Sequence, residues 1–240
     1  MAHVPRLYHP GRIVPGPLAL GPEASRHLTT VLRMRVGEEF LLFPGDGSEW
    51  LARIEGLSGK QGAWATVMEL VRQEPSAALL QVELCCALVR NARFETVVEK
   101  CTELGVDVIR PMSCERTNRG DAPSAARKER WERITVEASE QCGRLRVPVI
   151  AEAVAFNDFV ARSRDPFVIA DGSGETWEAV AGVLPEAGPL SVLIGPEGGW
   201  SEAELAKARA AGGVTVRLGG NILRTETAAI AALTLLRARM

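Results

Sequence analysis

The hydrophobic rhythm of the chain changes once, near residue 75. Before that point apolar residues come in bursts at 40–43, 50–54 and 64–71, separated by Pro44-Gly45-Asp46-Gly47 and Ser58-Gly59-Lys60. Short strands punctuated by Asp-Gly and Ser-Gly turns predict a small β-barrel. One helix over 22–34 is expected to interrupt it, and Glu74-Pro75-Ser76 reads as a linker. The expected domains are therefore 1–74 and 75–240.

Past the linker, strand-like and helix-like stretches alternate, the pattern of an α/β domain with a mainly parallel sheet and helices on its faces. A strand over 79–89 leads into a helix over 91–104. There Phe94, Val97, Val98, Cys101 and Leu104 recur on one helical face, and Gly105 stands at the C-terminal cap. A strand over 106–109, a polar loop over 113–124 and a charged helix over 125–141 follow, the helix turning Trp131, Ile134 and Ala138 inward. Then come a helix over 157–162, a strand over 167–170, a helix over 175–183 and a strand over 190–194. Ser201 and Glu204 form a Ser-x-x-Glu capping box, with Trp200 and Leu205 as a hydrophobic staple, at the start of a helix over 201–211. After Gly212-Gly213, a strand over 214–218 feeds a last helix over 225–240, with Ala229, Ile230, Leu233 and Leu236 on one side.

Composition narrows the class. The longest apolar stretch, 79–89, is broken by Gln81 and Glu83 and falls short of the ~20 residues that cross a bilayer. Residues 1–10 lack the apolar core of a signal peptide, so a cytoplasmic protein without a membrane span is expected. The 5 cysteines show no C-x-x-C spacing, which favours buried free thiols over disulfides or a metal site. With 28 basic against 30 acidic residues and a net charge of −2, the molecule is not a generally basic nucleic-acid binder. Contact with RNA would need a local patch.

Candidate chemistry lies in two glycine-bearing loops that each leave a strand and open a helix. They are Leu193-Ile194-Gly195-Pro196-Glu197-Gly198-Gly199 and Leu218-Gly219-Gly220-Asn221-Ile222-Leu223-Arg224-Thr225-Glu226. Ligands of open α/β sheets sit beyond the carboxyl ends of the strands, so the loops of neighbouring strands would make one pocket. A glycine turn before a helix ordinarily suits phosphate. Here there is no Walker Lys-Ser/Thr and no G-x-G-x-x-G, and Glu197 would repel an anion. A neutral or cationic ligand with an apolar face fits better, and S-adenosylmethionine has those properties.

The same two loops closely resemble those of the bacterial 16S rRNA (uracil-N3)-methyltransferases, the RsmE family of the SPOUT superfamily. Glu99-Lys100-Cys101-Thr102-Glu103-Leu104-Gly105-Val106 is similar to the family's K-x-x-E-L-G-V segment. Glu140-Gln141-Cys142-Gly143-Arg144-x-x-Val147-Pro148 is similar to its E-Q-x-G-R-x-x-V-P segment. His27-Leu28-x-x-Val31-Leu32-Arg33 is similar to its H-L-x-x-V-L-R segment, so the resemblance runs the length of the chain. It implies a PUA-like barrel over 1–74 that binds RNA and a SPOUT domain over 75–240 whose last segments form a trefoil knot. It also implies a homodimer and transfer of a methyl group from S-adenosylmethionine to N3 of one uridine (U1498) of 16S rRNA in the 30S subunit. Asn221 departs from the family's usual arginine, and no role is carried over to it.

On this resemblance the cofactor-binding residues are Leu193, Ile194, Gly195, Pro196, Glu197, Gly199, Leu218, Gly219, Ile222, Leu223 and Thr225. Glu197 either shapes its loop or touches the ligand, and Thr225 caps the last helix whatever else it does. Methylation at N3 requires removal of a proton and stabilisation of a uracil anion. Arg224 and Glu226 are the candidates, against plain roles as an anchoring ion pair and helix-end charge. Arg6, Arg33, Arg35 and Arg144 are candidate RNA contacts, against a solvated surface. A ribose 2′-O-methyltransferase of the same superfamily and a non-catalytic rRNA-binding assembly factor are the alternatives.

Overall fold

The computed structural model describes residues 4–58, 62–75, 80–117 and 123–239. Gly59-Lys60 of the expected turn, Ser76 of the linker, Leu79, positions 118–122 of the polar loop and Met240 lie outside the described residues. The chain forms two compact units, Met1–Ser76 with Ser139–Val147, and Ala77–Ala138 with Pro148–Met240.

The first unit contains β1 (Arg6–Tyr8), β2 (Gly16–Leu20), a short helix α1 (Pro22–Arg26), β3 (Glu39–Phe43), β4 (Ser48–Leu57) and β5 (Ala63–Gln73). They form one sheet in the order β1-β3-β4-β5-β2. Leu7, Leu28, Phe40, Leu42, Ala52, Ile54 and Val67 make its core. The helix expected over 22–34 differs: α1 passes into a wider π-helical turn, His27–Val31, closed by Leu32 N–H donating to the His27 carbonyl at 3.0 Å. Thr29 Oγ1 donates to the Ser25 carbonyl at 2.8 Å, the local competition that makes threonine a poor helix residue. The turn ends at Arg33, whose φ of 55° makes it the one non-glycine among the described residues in the left-handed region.

The segment Ser139–Val147, sequentially remote, belongs to this unit, tied to it by Gly47 N–H donating to the Leu145 carbonyl, by an Asp46–Arg146 β-bridge and by Arg6. The Arg6 side chain is only 8% exposed and pairs with Glu49 at 2.7 Å. Three more of its N–H groups donate to the carbonyls of Ser139, Glu140 and Arg144, and its guanidinium lies 4.5 Å over the Phe43 ring. The Tyr8 N–H donates to Glu140 Oε1 at 2.8 Å. A single cut near residue 75 therefore does not describe the organisation.

The second unit alternates β6 (Leu80–Ala87), α2 (Asn91–Glu103), β7 (Val108–Ser113), α3 (Ala125–Cys142), β8 (Val149–Ile150), β9 (Val154–Ala155), α4 (Phe156–Arg162), β10 (Phe167–Thr176), α5 (Trp177–Ala181), β11 (Gly188–Ile194), α6 (Glu202–Ala210), β12 (Val214–Arg217) and α7 (Thr225–Arg237). The strand order is β12-β10-β11-β6-β7-β8, with β9 also on β7, and every pairing is parallel. Parallel sheets are buried on both faces. Leu84, Val98, Ile109, Val192, Ile194 and Leu233 fill one side, and Cys85, Met112, Phe156, Ile169, Leu193 and Trp200 the other. Gly105, at φ 88°, ends α2 as expected: Gly105 N–H reaches the Thr102 carbonyl and Val106 N–H the Cys101 carbonyl, each at 3.0 Å. That cap takes up Val106, so β7 starts later than the expected 106.

Candidate active site

The two glycine loops do not come from neighbouring strands. β10 runs between β11 and β12 and adds a loop of its own. Its pairing with β12 shifts register between Ala170 and Glu175, so Asp171-Gly172-Ser173-Gly174 is bulged out of the strand. Asp171 Oδ1 closes that bulge by accepting from the Ser173 N–H at 2.9 Å and from its hydroxyl at 2.6 Å. A Cβ on Gly174 would lie 2.6 Å from the backbone of Thr215 and Val216, so only glycine lets β12 approach there. The strand expected to stop at 170 thus runs on through the bulge to Thr176, and the helix expected from 175 starts at Trp177.

The three loops enclose a cavity of about 570 Å³, lined by Ala170, Asp171 and Gly172, by residues 194–200, and by residues 217–223 with Thr225 and Ala228. That is an ordinary size for a small-molecule site, roughly 300–1,000 Å³. Of the residues expected to bind cofactor, Ile194, Gly195, Pro196, Glu197, Gly199, Leu218, Gly219, Ile222, Leu223 and Thr225 are on its wall. Leu193 is not: it is fully buried on the sheet face that carries Trp200 and Phe156, because successive strand residues point to opposite faces. Asp171, Gly172, Arg217, Asn221 and Ala228 were not anticipated.

The walls are tied together by side chains. Trp200 Nε1 donates to the Ala170 carbonyl at 3.0 Å, and its ring centroid lies 5.2 Å from that of Phe156. Gly195 packs against the same indole so closely that a Cβ would be 3.0 Å from Cε2 and Nε1. The expected capping box is present, Ser201 N–H donating to Glu204 Oε2 at 2.8 Å and Glu204 N–H to Ser201 Oγ at 3.2 Å. Glu115 reinforces it: Ser201 Oγ donates to its carboxylate at 2.6 Å, and its own N–H reaches Glu204 Oε1 at 2.9 Å. Arg116 Nη1 donates to the Gly198 carbonyl at 2.7 Å. Thr225 does not cap α7, since the N-cap is Arg224, without a side-chain cap bond. Its hydroxyl instead donates to the Gly195 carbonyl at 3.0 Å, joining the second loop to the first.

Neither candidate catalytic residue lines the cavity. Arg224 is exposed between the lining residues Leu223 and Thr225. Glu226 has a side chain 16% exposed, with Oε1 3.9 Å from Arg93 Nε and Oε2 buried without a hydrogen-bond partner. Arg93, in the first turn of α2, also pairs with Glu197. No sequence signal marks Arg93, because it stands 104 positions from Glu197. Of the candidate RNA contacts, Arg33 and Arg35 are exposed and Arg144 is half-buried. Arg6 is the correction: its side chain is only 8% exposed and four of its five N–H donors are engaged inside the first unit, so it is not presented to a phosphate.

The cysteines are free. Burial pushes the thiols of Cys85, Cys86 and Cys101 up. Burial and then the charge of Glu204 push Cys114 up to about 12. Cys142 is exposed, unlike the buried thiol expected there. Among the described residues no group of His, Cys, Asp and Glu could hold a metal ion, and no helix is long and apolar enough to cross a membrane.

Residues 75–237 match the family profile described as an RNA methyltransferase domain, and residues 20–68 match an RNA methyltransferase PUA domain. The ribosomal RNA small subunit methyltransferase E of Synechocystis is 33% identical over 93% of this chain and 74% of its own length. This chain belongs to the ribosomal RNA small subunit methyltransferase E family. The Bacillus subtilis member is 30% identical over 88% of this chain and 86% of its own. Among solved structures, a Legionella pneumophila methyltransferase in complex with bound SAM superposes with a TM-score of 0.88, at 33% identity over 99% of this chain and 98% of its own. The Neisseria gonorrhoeae family member bound to S-adenosyl methionine gives 0.87, at 30% identity over 99% and 98%. The chain is thus an RNA methyltransferase with the α/β, SPOUT-like architecture of this family and a PUA-like domain.

Proposed function

We propose that this protein transfers a methyl group from S-adenosylmethionine to N3 of a single uridine in 16S rRNA. The observation that carries the reading is the chemistry of the cavity. Its wall is backbone and glycine with apolar Ile194, Leu218 and Leu223, and two carboxylates, Glu197 and Asp171, stand against one cation, Arg217. Such a wall suits an adenine face and a sulfonium cation and disfavours a phosphate-bearing cofactor. Residues of all three loops would hold the cofactor. It supplies an already activated methyl group on sulfur.

The rest of the chemistry falls to the chain. Arg224, exposed beside the cavity, offsets the negative charge that develops on the uracil as N3 loses its proton. Glu226, two residues further, is the carboxylate that accepts that proton, while the loops hold N3 in line with the methyl group. Arg33 and Arg35 contribute phosphate contacts from the PUA-like unit, and Arg144 adds a weaker one; these set affinity and register rather than sequence. Ile222, a pocket-wall residue with 103% relative exposure, supports a homodimer in which a second copy covers this edge. A trefoil knot through the cofactor loops, a 30S particle as substrate and a cytoplasmic location complete the reading.

Incubation of 30S subunits lacking the modification with the protein and methyl-labelled S-adenosylmethionine, followed by nucleoside mass spectrometry, tests it. Labelled 3-methyluridine is expected. Label on ribose would move the activity to a 2′-O-methyltransferase, and rRNA binding with no label would leave an assembly factor.

A further inference from the structure

The cavity wall depends on a group that is not part of it. We propose that Arg93 is a positioning residue that latches the two glycine loops to each other and so sets cofactor affinity. This rests on reading the cavity as the S-adenosylmethionine site.

Glu197 sits in a run of Gly195, Pro196, Gly198 and Gly199, in which it carries the one charged side chain. Its side chain is 50% exposed, and Arg93 is its one ion-pair partner among the described residues. The same guanidinium turns its Nε toward Glu226 Oε1 at 3.9 Å, and Glu226 likewise has no other ion pair there. With Glu226 Oε2 buried and unpartnered, removing Arg93 leaves both carboxylates without their counter-ion among the described residues. The first loop has two further outside contacts: Arg116 to the Gly198 carbonyl, which does not reach α7, and the Thr225 hydroxyl to the Gly195 carbonyl, which does but leaves the Glu197 side chain unheld. Among the ion pairs of the described residues, only those of Arg93 bridge the loop after β11 and the start of α7. Arg93 itself is absent from the cavity wall, whereas Glu197 is on it. It therefore acts on the cofactor through Glu197. A guanidinium can face two carboxylates at once along its planar fork, which a lysine ammonium does not reproduce.

Calorimetric titration of S-adenosylmethionine into the wild-type protein, R93A, R93K, E197Q and R93A/E197Q tests the latch. R93A and E197Q should each weaken binding roughly three- to tenfold, the range of one partly exposed ion pair coupled to loop order. The double variant should bind no more weakly than the worse single one, and R93K should recover part of the loss. In steady-state assays R93A should raise KM for S-adenosylmethionine and leave KM for 30S subunits unchanged. Wild-type affinity in R93A, or losses that add in the double variant, would overturn the proposal. A rise in KM for 30S alone would do the same, since it would make Arg93 an RNA contact. Absence of cofactor binding by the wild-type protein would instead refute the reading of the cavity.

Discussion

Gly195→Ala isolates the junction between the first loop and the bulge of β10. The φ of Gly195 is not in the left-handed region, so alanine meets no backbone strain, and its whole effect comes from space. The new Cβ would lie 3.0 Å from Trp200 Cε2 and Nε1 and 3.3 Å from Cδ1, so the indole must withdraw by several tenths of an ångström. It is not free to do so: Nε1 is held at 3.0 Å by the Ala170 carbonyl, Phe156 packs on the ring, and Trp200 is only 5% exposed. Overpacking of a filled site costs about 1–3 kcal/mol, and loosening the indole hydrogen bond adds up to about 1. For a chain of this length that is roughly a 2–16 °C fall in Tm. Because the molecule has two units, calorimetry with the transitions resolved is the assay, and the loss belongs to the one containing residues 148–240. Cofactor titration should show at least about tenfold weaker binding, since Ala170 and Gly195 both line the cavity. In a Trp200→Phe background the smaller ring can yield, so the added cost of Gly195→Ala should fall to less than half. Unchanged Tm and affinity in the single variant, or equal costs in both backgrounds, would refute the steric account.

Three further outcomes follow from other parts of the molecule. Arg6→Ala leaves Glu49, with a side chain 7% exposed, with only Arg72 at 3.4 Å, and should cost about 3 kcal/mol or more in the transition of the first unit. Arg6→Lys should not rescue it, because three carbonyls and a carboxylate share the guanidinium fork. Arg224→Ala removes an exposed cation that lines no wall, so turnover should drop by about a hundredfold or more with cofactor affinity kept; normal turnover would take Arg224 out of the chemistry. With Cys114 raised to about 12 and Cys85, Cys86 and Cys101 raised by burial, these thiols stay protonated at pH 8. A disulfide reagent at that pH should titrate the exposed Cys142 within minutes and the other four only after denaturation, and rapid reaction of a second thiol would contradict their burial.

What could be read from the sequence was what short-range chemistry encodes. The Ser201 to Glu204 capping box, the Gly105 cap and the apolar stripe of α2 each involve residues within a few positions, and each is in the structure. The glycine loops were legible for the same reason, and most of their residues line the cavity. What was hidden depends on pairing across the sheet. The bulge after Ala170 exists because β12 pairs on both sides of it, and nothing local in Asp171-Gly172-Ser173-Gly174 distinguishes a bulge from a plain turn. Leu193 differs from its wall neighbour Ile194 by one step of strand alternation, enough to turn its side chain to the opposite face.

Arginine was the least legible residue type, since its role is set by whichever carboxylates and carbonyls the fold delivers. Arg6 looked like a surface cation and is an interior clamp, joining β1 to a segment more than 130 positions away. Arg93 carried no motif and joins two loops over 100 positions downstream. Thr225 shows the same principle on a smaller scale: a threonine at the start of a helix predicts a cap, yet the hydroxyl goes to the Gly195 carbonyl 30 positions back. A cap stabilises its own helix, whereas this bond fixes one cofactor loop against another. The residues that hold the site together are therefore mostly those whose local signal is absent or points elsewhere. They stand beside the glycine motifs rather than in them, and the cavity keeps its shape only while Arg93, Trp200 and Thr225 connect walls that the sequence places far apart.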